Sequence, residues 1–340
     1  MIVEIRHTRP FSLVKIANDL KRYLSNYYDV IISTNNYSLP KGDVIIAIGN
    51  PDQELFTIIR HSFGKRIIAY TVCEGVLRTP ALWFRPYSKI ITHVVPSKYV
   101  KEKYEAIGAD VDDVIPHAIF NFGEPKKQNN KNFLYIGGYQ YRKYPRYGIE
   151  AIKRSGIKPC VLTTKNNPYT NLFDTIITDY KFDETQIMDY YKKFSWYLNI
   201  SDCEGFGLTP LEAMAHGMPL ISPYYLPIYE YADSSFTIFI PTKDAWYEPF
   251  GWENIEHHIY NIDDMVFAIY KALDTFNSSL KDTGSPHRKY TARSSFNSSL
   301  KDTFLQSPGE HAMGTFNSSL KDTARHNPLN TLNASLSIPH

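Results

Sequence analysis

Short apolar runs alternate with segments of helical apolar spacing along the first 120 residues of the chain. Leucine and isoleucine recur at a helical period over residues 13–24 and predict a helix there, and helices are also predicted at residues 53–61 and 98–107. The apolar runs predict strands at residues 2–6, 30–33, 44–48, 66–72, 90–95 and 114–119. Strands that alternate with helices at this pitch indicate a parallel sheet in an α/β fold.

The same alternation restarts after a polar stretch, GEPKKQNNKN at residues 123–132, which has the composition of a linker. Strands are predicted there at residues 133–136, 159–163, 175–178, 196–200 and 219–222, and helices at 147–154, 184–193 and 209–216. We therefore predict two Rossmann-like domains that face a cleft, one at residues 1–122 and one at 123–274. Open α/β sheets bind their ligands at the carboxyl ends of the strands.

The last part of the chain has a different composition. The octapeptide FNSSLKDT occurs three times, at residues 276–283, 296–303 and 316–323. Each copy has one Phe and one Leu among polar residues, which is too little apolar surface to offset the entropy of ordering the chain. Residues 275–340 are therefore predicted to be a disordered tail of low complexity.

Composition narrows the possible partners and the compartment. The 340 residues carry a formal net charge of +2, so there is no overall basic field and no nucleic-acid partner is expected. The three cysteines, Cys73, Cys160 and Cys203, have no CxxC spacing, which argues against a disulfide framework or a zinc site and indicates a reducing compartment. No apolar run approaches the roughly 20 residues of a membrane helix, and no signal peptide is expected, so we predict a cytoplasmic protein.

The stretch SDCEGFGLTPLEAMAHGMP, residues 201–219, holds two glutamates eight positions apart, Glu204 and Glu212. Thr209 and Pro210 are typical of the first residues of a helix, and Glu212 would then complete a capping box with Thr209. That is one sufficient explanation of Glu212. Glu204 precedes the predicted helix and has no capping role, which makes it a candidate ligand-binding carboxylate.

Two glycines in this stretch predict a close approach of the backbone to a ligand. Gly205 and Gly207 flank Phe206 just before the predicted helix. The N–H groups at a helix start, together with the helix dipole, favour a phosphate or diphosphate. Carboxylates on either side accept hydrogen bonds from vicinal hydroxyls. A nucleotide sugar combines these groups, because it has a ribose diol, a diphosphate and a hexose.

The segment EGFGLTPLEAMAHGMP resembles the E-x7-E signature of retaining glycosyltransferases of the GT-B fold, family-4 type. FLYIGGYQYRK, residues 133–143, resembles the glycine turn that opens the donor domain of that family. Further segments at residues 94–100, 114–121 and 225–231 resemble the family in the expected order, and the similarity covers about residues 90–273.

The resemblance implies specific roles. Glu204 would contact the donor sugar, Glu212 would hold the ribose, and the backbone at Phe206 to Leu208 would meet the diphosphate. Lys143 matches a lysine of the family, whereas Gly138 stands at the position of its arginine, so the neighbouring Arg142 is the candidate replacement. The implied donor-binding residues are Gly138, Arg142, Lys143, Glu204, Gly205, Phe206, Gly207, Leu208 and Glu212.

The chain departs from the family in its first half. Glu74 stands about where the family has an acceptor-domain histidine, so Glu74 joins Lys143 and Glu204 as a predicted catalytic residue. His7 and Arg9 stand near the family's usual glycine pair. Two further histidines have simpler explanations: a buried structural role for His117 and, for His216, a favourable interaction with a helix dipole.

The predicted partners are a nucleotide-diphosphate sugar as donor substrate and a hydroxyl on a glycan, lipid or protein as acceptor, without a cofactor or an essential metal. The stretch from Arg78 to Lys89 mixes basic and aromatic residues. Such a stretch is compatible with contact to an anionic membrane surface, with stacking on sugars, or with an ordinary loop at the domain edge.

Three alternatives stay open at this stage. A metal-dependent GT-A transferase would use an Asp-x-Asp motif, and Asp110 and Asp112 have that spacing. A retaining glycoside hydrolase would use Glu204 and Glu212 as its carboxylate pair. A nucleotide-sugar-binding protein without catalysis would also fit, because Gly138 and Glu74 depart from the family pattern.

Overall fold

The computed structural model describes residues 1–8, 11–34, 36–117, 119, 132–177, 184–232 and 234–281. Arg9 and most of the predicted tail lie outside these ranges. All the described residues belong to one compact unit.

The first half of the chain forms a parallel sheet with strand order β2-β1-β3-β4-β6-β7. Its strands are β1 (Ile2–His7), β2 (Asp29–Ser33), β3 (Val44–Gly49), β4 (Arg66–Thr71), β6 (Thr92–Val95) and β7 (Asp113–Val114), while β5 (Gly75–Leu77) lies in another sheet. The helices of this half are α1 (Phe11–Leu24), α2 (Gln53–His61), α3 (Phe84–Ser88) and α4 (Lys98–Glu105).

Local sequence explains these elements. Every residue of β3 is buried, as expected for a central strand that is covered on both faces. The side chain of Asp52 accepts a hydrogen bond from the Leu55 N–H at 2.9 Å and so caps α2. Leu55 and Ile59 of that helix belong to the same buried apolar cluster as Ala47 of β3.

The second half forms another parallel sheet, with strand order β10-β9-β8-β11-β12-β13. Its strands are β8 (Phe133–Ile136), β9 (Cys160–Thr163), β10 (Asp174–Ile177), β11 (Trp196–Leu198), β12 (Leu220–Pro223) and β13 (Thr237–Ile240). The helices are α5 (Arg146–Ser155), α6 (Glu184–Lys193), α7 (Leu208–Ala215), α8 (Ile228–Tyr231) and α9 (Ile262–Lys281).

A third sheet joins the two halves. Strands β14 (Thr242–Phe250) and β15 (Glu253–Tyr260) form an antiparallel hairpin, and β15 also pairs with β5 of the first half. A side chain at Gly75 could not be accommodated in this pairing, because its Cβ would lie 1.9 Å from the carbonyl oxygen of Asn254. The sequence patterns did not predict this hairpin.

The predicted α/β fold with two Rossmann-like parallel sheets is confirmed, and most predicted elements agree with the structure to within a few residues. The predicted strand at residues 114–119 is too long, since the strand is Asp113–Val114. Pro116 follows shortly after it and has no N–H to donate to a sheet. Domain limits at 122 and 274 stay predictions; α9 continues to Lys281, past the predicted start of the tail.

None of the helices in the described ranges has the length and apolar character that a bilayer crossing requires.

Candidate active site

The order of the second sheet creates a crevice at the carboxyl ends of β8 and β11. These strands are neighbours, but the chain continues from β8 to β9 on one side and from β11 to β12 on the other. The loops that follow them therefore diverge, and such a switch point is where open α/β sheets bind ligands. Arg142 and Lys143 lie on a short 3₁₀ turn after β8, and Glu204 follows β11.

Hydrogen bonds fix the two loops against each other. The N–H of Asp202 donates to the carbonyl of Arg142 at 3.1 Å, and the hydroxyl of Ser201 donates to the carbonyl of Cys203 at 2.9 Å. The Arg142 guanidinium in turn donates to the Cys203 carbonyl at 3.1 Å. The side chains that precede the glycine motif thus have a defined position.

Four charged side chains meet at this point, and we call them the charge cluster: Glu74, Arg142, Lys143 and Glu204. Arg142 Nη2 lies 2.7 Å from Glu74 Oε1, and Arg142 Nη1 lies 3.8 Å from Glu204 Oε2. Lys143 Nζ forms an ion pair with Glu204 Oε1. Glu74 follows β4, so the carboxyl edges of the two sheets face each other here.

The formal charges of the cluster sum to zero. Because these side chains are largely buried, the pKa of each one depends strongly on its neighbours in the cluster. Burial alone would raise the pKa of Glu204, but Lys143 and Arg142 outweigh it and hold that pKa below its ordinary value. Burial raises the pKa of Glu74, and Arg142 offsets this only in part. Burial lowers the pKa of Lys143, against the opposing effect of Glu204. Of the two carboxylates, Glu204 therefore ionises more readily than Glu74.

The helix after Glu204 begins at Leu208, and Gly207 precedes it with a φ of 85°. A side chain at Gly207 would be strained at this φ and would also meet Ile228 Cδ1 at 2.3 Å. A Cβ at Gly205 would lie 2.9 Å from the Cys73 carbonyl. Protein atoms therefore already explain both glycines, and their predicted contact with a ligand stays a prediction.

The predicted capping box is wrong. Thr209 is inside α7, and its hydroxyl accepts a hydrogen bond from the Tyr197 hydroxyl at 2.8 Å. Glu212 instead accepts a hydrogen bond from the Tyr191 hydroxyl at 2.8 Å, and Lys15 Nζ lies 3.5 Å from its other oxygen. Burial raises the pKa of Glu212, and Lys15 offsets part of that rise. Glu212 thus has no capping role and is linked to α1 of the first half.

Phe206 joins the two halves through its side chain. Its ring centroid lies 4.5 Å from that of His117, whose Nδ1 is 2.8 Å from the Tyr70 hydroxyl. Burial lowers the pKa of His117 to about 3, so the imidazole is neutral at ordinary pH. This supports the structural role predicted for His117.

The remaining predicted residues have different outcomes. Gly138 lies in the loop between β8 and the 3₁₀ turn, and Arg142 is the arginine that the structure brings to Glu204. His7 contacts the carbonyl of its neighbour Thr8 at 2.9 Å. His216 lies at the C-terminal end of α7, as predicted, but burial lowers its pKa to about 4 and its ring stacks on Tyr191, so the imidazole brings no charge to the helix dipole.

Asp202 is a site residue that the sequence patterns missed. It is buried directly before Cys203 and Glu204, and its Oδ1 lies 2.9 Å from Nδ1 of His257 on β15. Its other carboxylate oxygen accepts a hydrogen bond from the Tyr147 hydroxyl. Only the folded chain brings these residues together, and no local motif marks them.

The hairpin also holds Glu74. The N–H of Glu74 donates to Glu253 Oε2 at 2.6 Å, and the N–H of Glu256 donates to the Glu74 carbonyl at 3.0 Å. The N–H of His258 donates to the Asp202 carbonyl at 2.9 Å. Strand β15 therefore positions both loops that supply carboxylates to the charge cluster.

The Asp-x-Asp sequence of the GT-A alternative contributes to the fold of the first half. Asp112 Oδ2 accepts a hydrogen bond from the His93 N–H at 2.7 Å, and the Asp110 carbonyl lies 2.7 Å from His93 Nδ1. In the part of the chain that the structure describes, no group of three or more His, Cys, Asp or Glu side chains is arranged to hold a metal ion.

Comparisons with known proteins bear on the fold and on the class of enzyme. No family model matches the chain. The chain is 20% identical over 297 residues to the uncharacterized glycosyltransferase 335 of Sulfolobus islandicus rod-shaped virus 1, a match that covers 77% of this chain and 88% of the viral protein.

Among solved structures, HepE from Anabaena in complex with UDP and glucose is similar with a TM-score of 0.60 at 12% identity, covering 96% of this chain and 100% of HepE. Sucrose-phosphate synthase from Thermosynechococcus elongatus is similar with a TM-score of 0.63 at 12% identity, covering 95% and 100%. The chain has the fold of GT-B glycosyltransferases. Together with the name of the viral relative, this fold supports the predicted enzyme class, a glycosyltransferase.

Proposed function

We propose that this chain is a retaining glycosyltransferase of the family-4 type, which transfers a sugar from a nucleotide-diphosphate sugar to a hydroxyl of a glycan, lipid or protein. The observation that carries the proposal is the charge cluster at the switch point of the second sheet, directly before the glycine motif and α7. Its two cations suit a diphosphate and its two carboxylates suit sugar hydroxyls, which supports a nucleotide-sugar donor.

In this proposal the donor rearranges the charge cluster. The diphosphate binds the N–H groups at the start of α7 and takes Lys143 as its counter-ion, with Arg142 beside it. Glu204 then loses its partner Lys143 and becomes free to accept hydrogen bonds from the sugar hydroxyls. Glu212 accepts the ribose diol in exchange for its contact with Lys15.

The reaction follows from these contacts. The bond between the anomeric carbon and the diphosphate oxygen breaks, and the acceptor oxygen bonds to the same face of that carbon. The acceptor proton passes to the leaving diphosphate, so atoms and charge balance. Lys143 and Arg142 stabilise the charge that develops on the leaving oxygen, which is the kind of preorganised electrostatic effect that dominates much of enzyme catalysis. Glu74 approaches from the first half and orients the transferred sugar.

We also propose a cytoplasmic location. All three cysteines are free and buried, which fits a reducing compartment.

A panel of UDP-, GDP- and ADP-sugars tests the proposal. The first measurement is the shift in melting temperature with each nucleotide sugar, and the second is product formation with hydroxyl acceptors. The anomeric configuration of the product, determined by NMR, should match that of the donor. Transfer with inverted configuration would contradict a retaining mechanism.

The same panel separates the alternatives. Nucleotide binding without transfer to any acceptor would indicate a binding protein, and loss of activity in EDTA would indicate a metal-dependent transferase. Hydrolysis of simple glycosides without a nucleotide donor would indicate a hydrolase. We expect full activity in EDTA and no hydrolysis of simple glycosides.

A further inference from the structure

An exposed apolar surface lies on the first half and on the tip of the hairpin. We define the apolar surface as Phe63, Val76, Leu82, Trp83 and Phe250, all of which are exposed. Trp83 is 62% exposed and Phe250 is 61% exposed, so neither side chain is covered by the protein. Large apolar side chains that are exposed together in one patch mark an interaction site, whereas single exposed ones do not.

Ring contacts connect the aromatic residues of this surface on the first half to the tip of the hairpin. Phe63 stacks on Tyr87 with centroids 5.6 Å apart, and Tyr87 contacts Phe56 at 4.9 Å. Phe56 in turn contacts Trp83 at 6.0 Å and Trp252 at 6.4 Å. The hairpin tip is held in place because the N–H of Arg78 donates to the Trp252 carbonyl at 2.7 Å.

The charge around this surface is strongly one-sided. Between residues 55 and 101 the sequence has eight Lys or Arg and a single acid, Glu74, which is engaged in the charge cluster. Four of the cations are exposed on the segments that carry the apolar surface: Arg60, Arg78, Arg85 and Lys89. Of these, Lys89 lies 3.9 Å from an exposed acid, Asp110.

We propose that the apolar surface and its four cations dock onto an anionic lipid bilayer. Basic side chains add attraction to acidic headgroups, while Trp, Phe and Leu enter the interface between headgroups and acyl chains. Nucleic acids and acidic polysaccharides match the charge but not the aliphatic part, since Val76 and Leu82 cannot stack on bases. Stacking on a sugar would use Trp83 and leave the cations without a function.

The docking surface starts close to the charge cluster. Glu74 is followed directly by β5, which contains Val76 and leads to Arg78. An acceptor carried by a lipid would therefore be held near the site. The membrane contact itself does not depend on the donor or on the transfer reaction.

Vesicle co-sedimentation tests the proposal on the full chain, with vesicles of phosphatidylcholine alone and of phosphatidylcholine with phosphatidylglycerol. We expect binding to the anionic vesicles only, and weaker binding as salt increases. The triple variant R78Q/R85Q/K89Q should bind on the order of 100-fold more weakly, given the contribution of each basic residue near an anionic surface. The double variant W83S/F250S should lose most of its binding at any salt concentration.

Matched controls keep the test specific. The variant K153Q/R154Q/K158Q removes the same charge from exposed positions of the second half, and F267S removes an aromatic residue that is 68% exposed on α9. Both should bind vesicles like the unchanged chain. Melting temperatures show whether the variants fold, and L82S serves as a second apolar variant should W83S/F250S unfold.

Three outcomes would overturn the proposal: no binding of the unchanged chain to anionic vesicles, equal losses in the control variants, or binding to heparin or duplex DNA through the same residues without binding to vesicles. Nucleotide-sugar binding is measured separately, and none of these outcomes predicts a change in it. A failure here is thus distinguishable from a failure of the proposed transferase function.

Discussion

At the scale of single residues, Glu204 is the sharpest test of the site. Its carboxylate is held ionised by two cations, and no capping or packing role explains it. Replacing it by Gln keeps the shape of the side chain and removes the charge. We expect Glu204→Gln to lower kcat by about 100- to 1,000-fold, as the loss of a preorganised electrostatic contact typically does.

The affinity of this variant for the free nucleotide diphosphate, measured by calorimetry, should change only a few-fold, because Glu204 is assigned to the sugar. Glu150→Gln is the control, since Glu150 lies on the surface of α5 and contacts Arg154. Unchanged turnover in Glu204→Gln would remove the central residue of the proposed mechanism.

Glu212 gives a second test, because it has a different assigned partner. Loss of hydrogen bonds from a charged acceptor to the ribose should weaken UDP binding by about 10- to 100-fold in Glu212→Gln. With 2′-deoxy-UDP, which lacks one of the two hydroxyls, the same substitution should weaken binding by a clearly smaller factor. Equal losses with both nucleotides would show that Glu212 acts on the fold and not on the ribose.

The residues of the site differ in how far the sequence could predict them. Glu204, Glu212 and Lys143 lie in local motifs, and the resemblance of those motifs to a known family singles them out. Asp202 and His257 are 55 positions apart and meet only because β15 lies along the loop after β11. Arg142 was only a candidate replacement for the arginine absent at Gly138. Its approach to Glu204 had to come from the structure, since it depends on how the 3₁₀ turn faces Glu204.

At the scale of elements, the hairpin of β14 and β15 determines how the carboxylates are placed. Gly75 of β5, which pairs with this hairpin, is a sensitive position, because a Cβ there would collide with the Asn254 backbone. We expect Gly75→Ala to break the pairing of β5 with β15, to lower the melting temperature by several degrees and to abolish transfer.

Gly64→Ala is the matched control for this prediction. Gly64 has a φ of 87°, but no atom lies within 4 Å of the position that a Cβ would take, so its substitution should cost only about 1 kcal/mol of backbone strain. Thermal unfolding followed by circular dichroism measures both variants. Equal melting temperatures for the two would mean that the contact between β5 and β15 is dispensable.

The hairpin also shows why part of the fold could not be predicted. A half-buried strand is recognised by alternating apolar and polar residues, but the buried face of β15 carries Glu253, Ile255 and His257. Two of these three residues are polar because they bind Glu74 and Asp202. The parallel sheets, in contrast, were predictable because their central strands bury continuous apolar runs.

At the scale of the whole molecule, the two halves meet through polar contacts, and one of these should make stability depend on pH. Glu253 is buried beside Glu74, with Arg142 and Asp52 also acting on it. Burial, with a further contribution from Glu74, raises the pKa of Glu253 to about 8. The folded state therefore prefers the protonated carboxyl, whereas the unfolded chain ionises with the ordinary pKa of a glutamate.

The sign of the effect follows from this difference. The contribution of Glu253 to stability is fully present below the ordinary pKa of a glutamate and is lost as pH rises through about 8. The total is on the order of a few kcal/mol, since one pKa unit corresponds to ~1.4 kcal/mol. Glu253→Gln cannot ionise and keeps an oxygen to accept the Glu74 N–H. We therefore expect this variant to lose less stability than the unchanged chain between pH 5 and pH 8.5, whatever its stability at a single pH.

Urea unfolding across this pH range measures the difference directly, and Glu150→Gln should follow the unchanged chain at every pH. Parallel curves for Glu253→Gln and the unchanged chain would mean that Glu253 is not protonated in the folded protein. The predicted loss comes from burial of the charge and from repulsion by Glu74, and not from the hydrogen bond that the Glu74 N–H donates, since that bond favours the ionised carboxyl.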